Sequence, residues 1–95
     1  MTTMFLHVTD VKYLREYKVR VTFDDGVTKD IDLSQELYGE VFEPLKDTVF
    51  FLQVTINPET STIEWPNGAD FAPEFLYEIG QKVEPEDSPV ELQSA

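Results

Sequence analysis

The clearest alternation of apolar and polar side chains lies in residues 17–23, where odd positions are apolar and even positions are polar. A period of two is typical of a strand with one buried face and one solvated face. Residues 5–14 and 27–33 are also rich in β-branched and aromatic side chains, and Asp24-Asp25-Gly26 is the sequence of a tight turn. The pattern predicts a three-stranded antiparallel meander.

A change of period follows the meander and predicts short helices. Ser34 is a suitable N-cap, and apolar residues then recur at spacings of three and four. Gly39 and Pro44 interrupt this stripe. We therefore expect a helix over residues 34–39 and a second helical turn over residues 41–46.

Alternation returns in residues 48–56 and predicts a fourth strand, which pairs as a hairpin with a short fifth strand over residues 62–65. Pro73 is well placed in the first turn of a last helix, and Gly80 offers its C-terminal stop. The predicted fold class is α+β, with a three-stranded meander plus a hairpin packed against two or three short helices.

Length and composition indicate one small domain. The chain has 95 residues, and we expect the domain over residues 1–82 and an acidic, disordered tail over residues 83–95. Cysteine is absent, which excludes disulfides and thiolate metal sites. The N-terminus lacks a signal-peptide pattern and no apolar run is long enough to cross a membrane, so we expect a cytoplasmic protein.

The charge is strongly acidic and uneven. The formal net charge is −12, and residues 1–29 carry five basic and four acidic groups, whereas residues 30–95 carry two basic and fifteen acidic groups. Such a surface repels phosphate backbones, so we expect no direct nucleic-acid binding by this chain alone. The simplest interpretation is that the charge keeps the protein soluble. A more specific interpretation is that the acidic surface binds a basic protein partner.

Candidate catalytic and metal-binding residues are few. His7 is the only histidine, and no nucleophile can be paired with it from the sequence, so an ordinary strand histidine is favoured. The four carboxylates of residues 24–32 are explained by a turn and a solvated strand face, and they match no metal motif: Asp24, Asp25, Asp30 and Asp32. We expect no catalytic residue, no metal and no cofactor.

The basic side chains also form a group that needs interpretation. Lys12, Arg15, Lys18 and Arg20 are interleaved with aromatic residues. A solvated sheet face that discourages edge pairing explains them. If the group is functional, it suits an acidic protein as well as a phosphate.

The most distinctive stretch, residues 63–77, contains the only tryptophan and two of the six prolines. Trp65, Asn67, Asp70 and Tyr77 form the candidate interaction surface, because tryptophan and tyrosine anchor protein interfaces well. The competing interpretation places Trp65 in the core and the following residues in a turn and helix start. A small core needs its large residues, which favours the second interpretation.

Three segments together resemble a known family. Val27-Thr28-Lys29-Asp30-Ile31-Asp32-Leu33, Phe42-Glu43-Pro44-Leu45-Lys46-Asp47 and the stretch from Ile63 to Tyr77 come in the order and spacing of the bacterial family called domain of unknown function 2442. The resemblance implies a small α+β domain, similar to the N-terminal domain fold of a Nitrosomonas-type uncharacterised protein family. Many members look like products of paired genes, reminiscent of toxin–antitoxin modules, and the resemblance supplies no catalytic residues.

Three functional hypotheses follow. The first is a non-enzymatic interaction or regulatory protein, the acidic and antitoxin-like half of a two-gene module with a basic protein partner. The alternative is a small-ligand-binding regulatory domain with a pocket near Trp65 and Tyr77. The third, an enzyme that uses His7 with a carboxylate, is the weakest. An exposed sheet edge also leaves a homodimer open.

Overall fold

The computed structural model describes residues 6–83. Its elements follow in the order β1 (Val8–Arg15), β2 (Lys18–Phe23), β3 (Thr28–Asp32), a 3₁₀ helix (Glu43–Lys46), α1 (Thr48–Phe51), β4 (Thr55–Asn57), β5 (Thr62–Glu64), α2 (Pro73–Ile79) and β6 (Gln81–Lys82). Strands β1, β2, β3 and β6 form one antiparallel sheet in that order, and β4 pairs with β5 in a second sheet. The fold is α+β, as predicted. The predicted tail, apart from Val83, lies outside the described residues.

The three-stranded meander is confirmed. Its central strand, β2, alternates between half-buried and fully buried side chains, as the sequence pattern requires. Val19 lies opposite Ile31 in the ladder, and both side chains are fully buried. Gly26 has a φ of +88° in the β2–β3 turn, a conformation that glycine adopts without a steric penalty.

The predicted helix over residues 34–39 is wrong. The Asp32 carboxylate accepts a hydrogen bond from the Ser34 amide at 2.9 Å, and the Glu36 amide donates to the Leu33 carbonyl at 2.9 Å. A side-chain bond of this kind offers the backbone a turn in place of a helix start. The later helical turn is confirmed, as the 3₁₀ helix around Pro44.

The predicted strand over residues 48–56 is also wrong, since most of it is helix and turn. Asp47 is the N-cap of α1, and its carboxylate accepts from the Val49 amide at 3.0 Å. Phe51 is fully buried and Leu52 is exposed. Short apolar runs are ambiguous between helix and strand, and here the cap decides for helix. Only β4, at the end of this run, is a strand.

The end of the chain agrees with the prediction and adds one strand. The β4–β5 hairpin is present, α2 begins at Pro73, and Gly80 is its C-cap. The residues after Gly80 then pair with β3 as β6, a two-residue strand that the pattern of side chains does not reveal.

The core lies between the inner face of the four-stranded sheet and the helices and second sheet. Aromatic rings form its continuous centre: the ring centroids of Phe42 and Phe71 are 4.9 Å apart, those of Phe71 and Trp65 are 5.9 Å apart, and those of Trp65 and Phe51 are 5.3 Å apart. Offset and edge-on contacts at such distances add to the stabilisation from burial. These rings tie α1 and the 3₁₀ segment to the stretch before α2.

Candidate functional site

Trp65, the first residue of the predicted interaction surface, belongs to the core. It is only 2% exposed, and its indole nitrogen donates to the Phe51 carbonyl at 2.7 Å. A buried indole needs such a partner for its N–H group. The interpretation of Trp65 as core, which the sequence left open, is therefore the correct one, and the ring is not available to a partner.

Asn67 lies on the surface but holds two parts of the chain together. Its amide nitrogen donates to the Val41 carbonyl at 2.9 Å, and its side-chain oxygen accepts from the Ala69 amide at 3.1 Å. The turn closes with a bond from the Gly68 amide to the Trp65 carbonyl at 2.9 Å. Asn67 thus fixes the loop before the 3₁₀ helix against the turn that follows Trp65.

Asp70 and Tyr77 lie in different surroundings. Asp70 is exposed, and its backbone forms an isolated antiparallel β-bridge with Glu64. The Tyr77 hydroxyl donates to the Asp25 carboxylate at 2.7 Å, and this bond raises the pKa of Tyr77. Its ring lies 4.9 Å from Phe23 and 4.0 Å from the Lys29 ammonium, which also donates to the Tyr77 carbonyl. These contacts explain why Lys29 stands on the inner side of β3.

An exposed apolar surface lies elsewhere, and the sequence did not reveal it. We use this name for four side chains that are between 45% and 70% exposed: Tyr38, Val41, Val49 and Leu52. Val41 is held by Asn67, and Leu52 follows Phe51, which packs on Trp65. Trp65 and the turn that follows it therefore contact both segments, the one that carries Val41 and the one that carries Leu52. The sequence pattern assigned these residues to an apolar helical stripe or to a strand, so their exposure could not be predicted from it.

Carboxylates are interspersed with the first residues of the apolar surface along the sequence. Four of them lie in residues 36–47: Glu36, Glu40, Glu43 and Asp47. Within residues 6–83, Glu43 has an ion-pair partner, Lys46, at 3.1 Å, and Asp47 caps α1. Protein interfaces commonly combine an apolar centre with a charged rim.

His7 has a carboxylate neighbour, although the pair is exposed. Its ring nitrogen Nδ1 lies 2.8 Å from the Asp24 carboxylate, and its backbone amide donates to the same group at 3.2 Å. These bonds hold the pKa of Asp24 below its usual range. A covalent hydrolytic mechanism also places a nucleophile next to the histidine. Among the described residues, the side-chain partner of the His7 ring is Asp24.

The four carboxylates of residues 24–32 have structural partners. Asp25 accepts from the Val27 amide at 2.9 Å, and Asp32 accepts from the Ser34 amide. Asp30 accepts from Arg20 at 2.7 and 3.0 Å, which lowers the pKa of the carboxyl. Across residues 6–83, no three histidine, aspartate or glutamate side chains are grouped to hold a metal ion.

A groove of about 580 Å³ opens on the outer face of the four-stranded sheet, the face turned away from the core. The ligand pocket predicted near Trp65 and Tyr77 is not this groove, because neither residue lines it. Its lining comes from all four strands and the end of α2: Leu14, Arg15, Lys18, Arg20, Asp30, Ile31, Asp32, Ile79 and Gln81.

Fold and surface define the class of protein: a small α+β domain with an exposed apolar area and a polar groove on separate elements. No helix in the described part of the chain has the length and hydropathy to cross a membrane. The chain belongs to the family described as Protein of unknown function (DUF2442), whose sequence model matches residues 8–82. This match confirms the predicted family. Comparison with curated proteins and with solved structures finds no match.

Proposed function

We propose that this protein is a non-enzymatic interaction module that binds a basic protein, as the acidic, antitoxin-like half of a two-protein pair. The observation that carries the proposal is the apolar surface within the acidic segment of residues 36–52. Exposed apolar areas with a polar rim are typical of interaction sites, whereas single exposed apolar residues are not informative.

The apolar surface rests on a rigid base, which favours binding with little loss of conformational entropy. Asn67 fixes the Val41 backbone, and Asp47 caps the helix that carries Val49. The aromatic rings beneath are packed against one another. Side chains presented in this way need little reorganisation when a partner docks.

The charge of the rim selects the kind of partner. Residues 36–47 carry four carboxylates and one lysine. Lysine and arginine side chains on a partner would be attracted to this rim, which raises the association rate, and acidic partners would be repelled. The same charge makes the binding sensitive to salt, because exposed charges are screened beyond about 10 Å at 0.1 M ionic strength.

Co-purification with the product of the neighbouring gene tests the proposal. We expect a stoichiometric complex that weakens as salt is raised. Tyr38→Ser and Val49→Ser should each weaken binding about tenfold, because each removes apolar area from the centre of the site. A chain that remains alone at low salt, or a complex unaffected by both substitutions, would contradict the proposal.

A charge-matched pair of variants distinguishes the effect of the rim on binding from the effect of the overall charge. Glu40→Gln lies in the acidic segment, whereas Glu78→Gln removes the same charge from the exposed side of α2. We expect Glu40→Gln to slow association and to reduce its salt dependence, while Glu78→Gln leaves both within twofold of the wild type, an order-of-magnitude expectation for a remote surface charge. Equal effects would indicate a general charge effect and would count against a defined rim.

A further inference from the structure

The outer face of the four-stranded sheet carries a second feature that the proposed function does not use. Basic side chains stand next to one another across β1 and β2: Lys12 is the direct partner of Arg20, and Arg15 is the direct partner of Lys18. Directly opposed side chains project from the same face of a sheet, and like charges in this position destabilise it. The chain has seven basic residues, and four of them are in this array.

A bulge in β1 directs Arg15 to this face. The register shifts between Tyr13 and Arg15, so that Leu14 is an extra residue and Arg15 is the partner of Lys18. Without the extra residue, the alternation of side chains would turn Arg15 toward the core. Bulges of this kind re-aim side chains. The adjacent Glu16 has a φ of +48°, a left-handed conformation that is unusual for a glutamate.

The cations of the groove are only partly neutralised. Asp30 holds Arg20 through two hydrogen bonds, and Asp32 is the cross-strand partner of Lys18. Within residues 6–83, Arg15 has no ion pair. Arg20 uses two of its five N–H donors on Asp30, which leaves further donors on a guanidinium that is already held in place. The lining thus contains three cations against two carboxylates.

We infer that this groove binds a small organic anion, with a carboxylate or phosphate group held by Arg15, Lys18 and Arg20 and a short apolar part held by Leu14 and Ile79. A volume of about 580 Å³ suits a small molecule. Leu14 and Ile79 are half-buried and supply apolar contact beside the charges. The Gln81 amide adds a neutral hydrogen-bonding group at the opposite side.

The protein's overall charge favours a small anion over a polymer. Beyond about one Debye length, roughly 8–10 Å, charges outside the groove are screened, so a small anion responds mainly to the nearby cations. A nucleic acid extends over many such lengths and meets the acidic remainder of a chain with net charge −12. The groove shares no residue with the apolar surface, so this inference does not depend on the proposed function.

Amide NMR spectra of the isotope-labelled full chain test the inference at about 0.1 M ionic strength, where charges outside the groove are screened. The probes are acetate, isocaproate and inorganic phosphate, each added to millimolar concentration. We expect saturable shifts confined to amides of the groove residues. Isocaproate should bind more tightly than acetate, because its alkyl chain contacts Leu14 and Ile79. Tighter binding of phosphate than of both carboxylates would assign the natural anion to the phosphate class.

Matched variants identify the residues that hold the anion. Arg15→Gln and Lys18→Gln should each raise the Kd by about tenfold, the loss of one charge-assisted hydrogen bond. Lys46→Gln removes the same charge from an exposed lysine outside the groove and should change the Kd by less than about twofold. Two variants are used so that a folding defect in one does not decide the result.

The inference would be overturned by the absence of a saturable shift with any probe, by equal weakening with Lys46→Gln, or by shifts spread over the whole surface. Binding of a DNA oligonucleotide without binding of the small anions would also overturn it, in favour of a polyanion site.

Discussion

At the end of α2, the backbone of Gly80 lies so close to β3 that a side chain has no room. A Cβ atom built there would be 2.8 Å from Ile31 Cγ1, 2.9 Å from Lys29 Cβ and 3.0 Å from the Leu76 carbonyl oxygen. The φ of Gly80 is −76°, so glycine is needed here for space and not for a left-handed conformation. This contact lets the chain leave α2 and pair directly with β3 as β6.

Gly80→Ala should lower the free energy of unfolding by about 1–3 kcal/mol, the usual cost of forcing extra atoms into a packed region. Urea denaturation measures the difference. Glu78→Ala, on the exposed side of the same helix, should stay within about 0.5 kcal/mol of the wild type. If Gly80→Ala is as stable as Glu78→Ala, lack of space for a side chain is not the reason for glycine at this position.

At the scale of elements, α1 shows how one side chain changes the structure of an apolar run. The helix has four residues, which is too short to be stable by itself in water. Asp47 caps its first turn, and Phe51 anchors it through contacts with Trp65 and Tyr17. The helix exists because the cap and the buried ring act together, and it presents Val49 and Leu52 outward.

Asp47→Ala should therefore lower the free energy of unfolding by about 1 kcal/mol, the typical cost of losing an N-cap. Urea denaturation again gives the value. Asp47→Ser retains a capping oxygen and should recover most of the loss. If Asp47→Ser is as unstable as Asp47→Ala, the contribution of Asp47 comes from its charge and not from the cap.

At the scale of the whole molecule, the balance of charges sets the response to acid. The net charge is −12, yet Asp24, Asp30 and Asp32 all have pKa values below the usual range because of bonds to His7, Arg20 and the Ser34 backbone amide. A carboxyl with a lowered folded-state pKa stabilises the fold above its unfolded pKa, near 3.9, and this contribution is lost as the pH falls through the folded value.

Asp30→Asn isolates one of these contributions. At pH 7 the variant should be less stable by about 0.2–1 kcal/mol, the usual range for an exposed ion pair that solvent screens. Below pH 4 the difference should shrink and then vanish, since Asp30 of the wild type loses its charge as the pH falls through its lowered folded-state pKa. Urea midpoints between about pH 2.5 and 7 measure the effect. A difference that is constant over this range would contradict the assigned role of the Arg20–Asp30 pair.

The meander, the last helix and the family could all be predicted from the sequence, because each is recognised from the order of residues within short segments. Strict alternation in residues 17–23 predicts a strand, and Pro73 and Gly80 mark the ends of a helix. The errors fall where local signals conflict. Residues 34–39 have the apolar spacing of a helix, but the Asp32 side chain binds the Ser34 amide and favours a turn. Residues 48–56 alternate like a strand, but Asp47 caps a helix at their start. A local hydrogen bond decided each case against the pattern of apolar residues.

By itself, then, the sequence determined the α+β class, the meander and the uneven charge, since these follow from side-chain period and composition. Tertiary structure alone decided which apolar residues are buried. Trp65 packs against Phe51 and Phe71, whereas Tyr38 and Val49 are exposed to solvent. It also decided that Arg15 and Lys18 stand side by side over a groove. The physical reason is that burial and charge proximity depend on contacts between distant segments, and the pattern of one segment does not contain them.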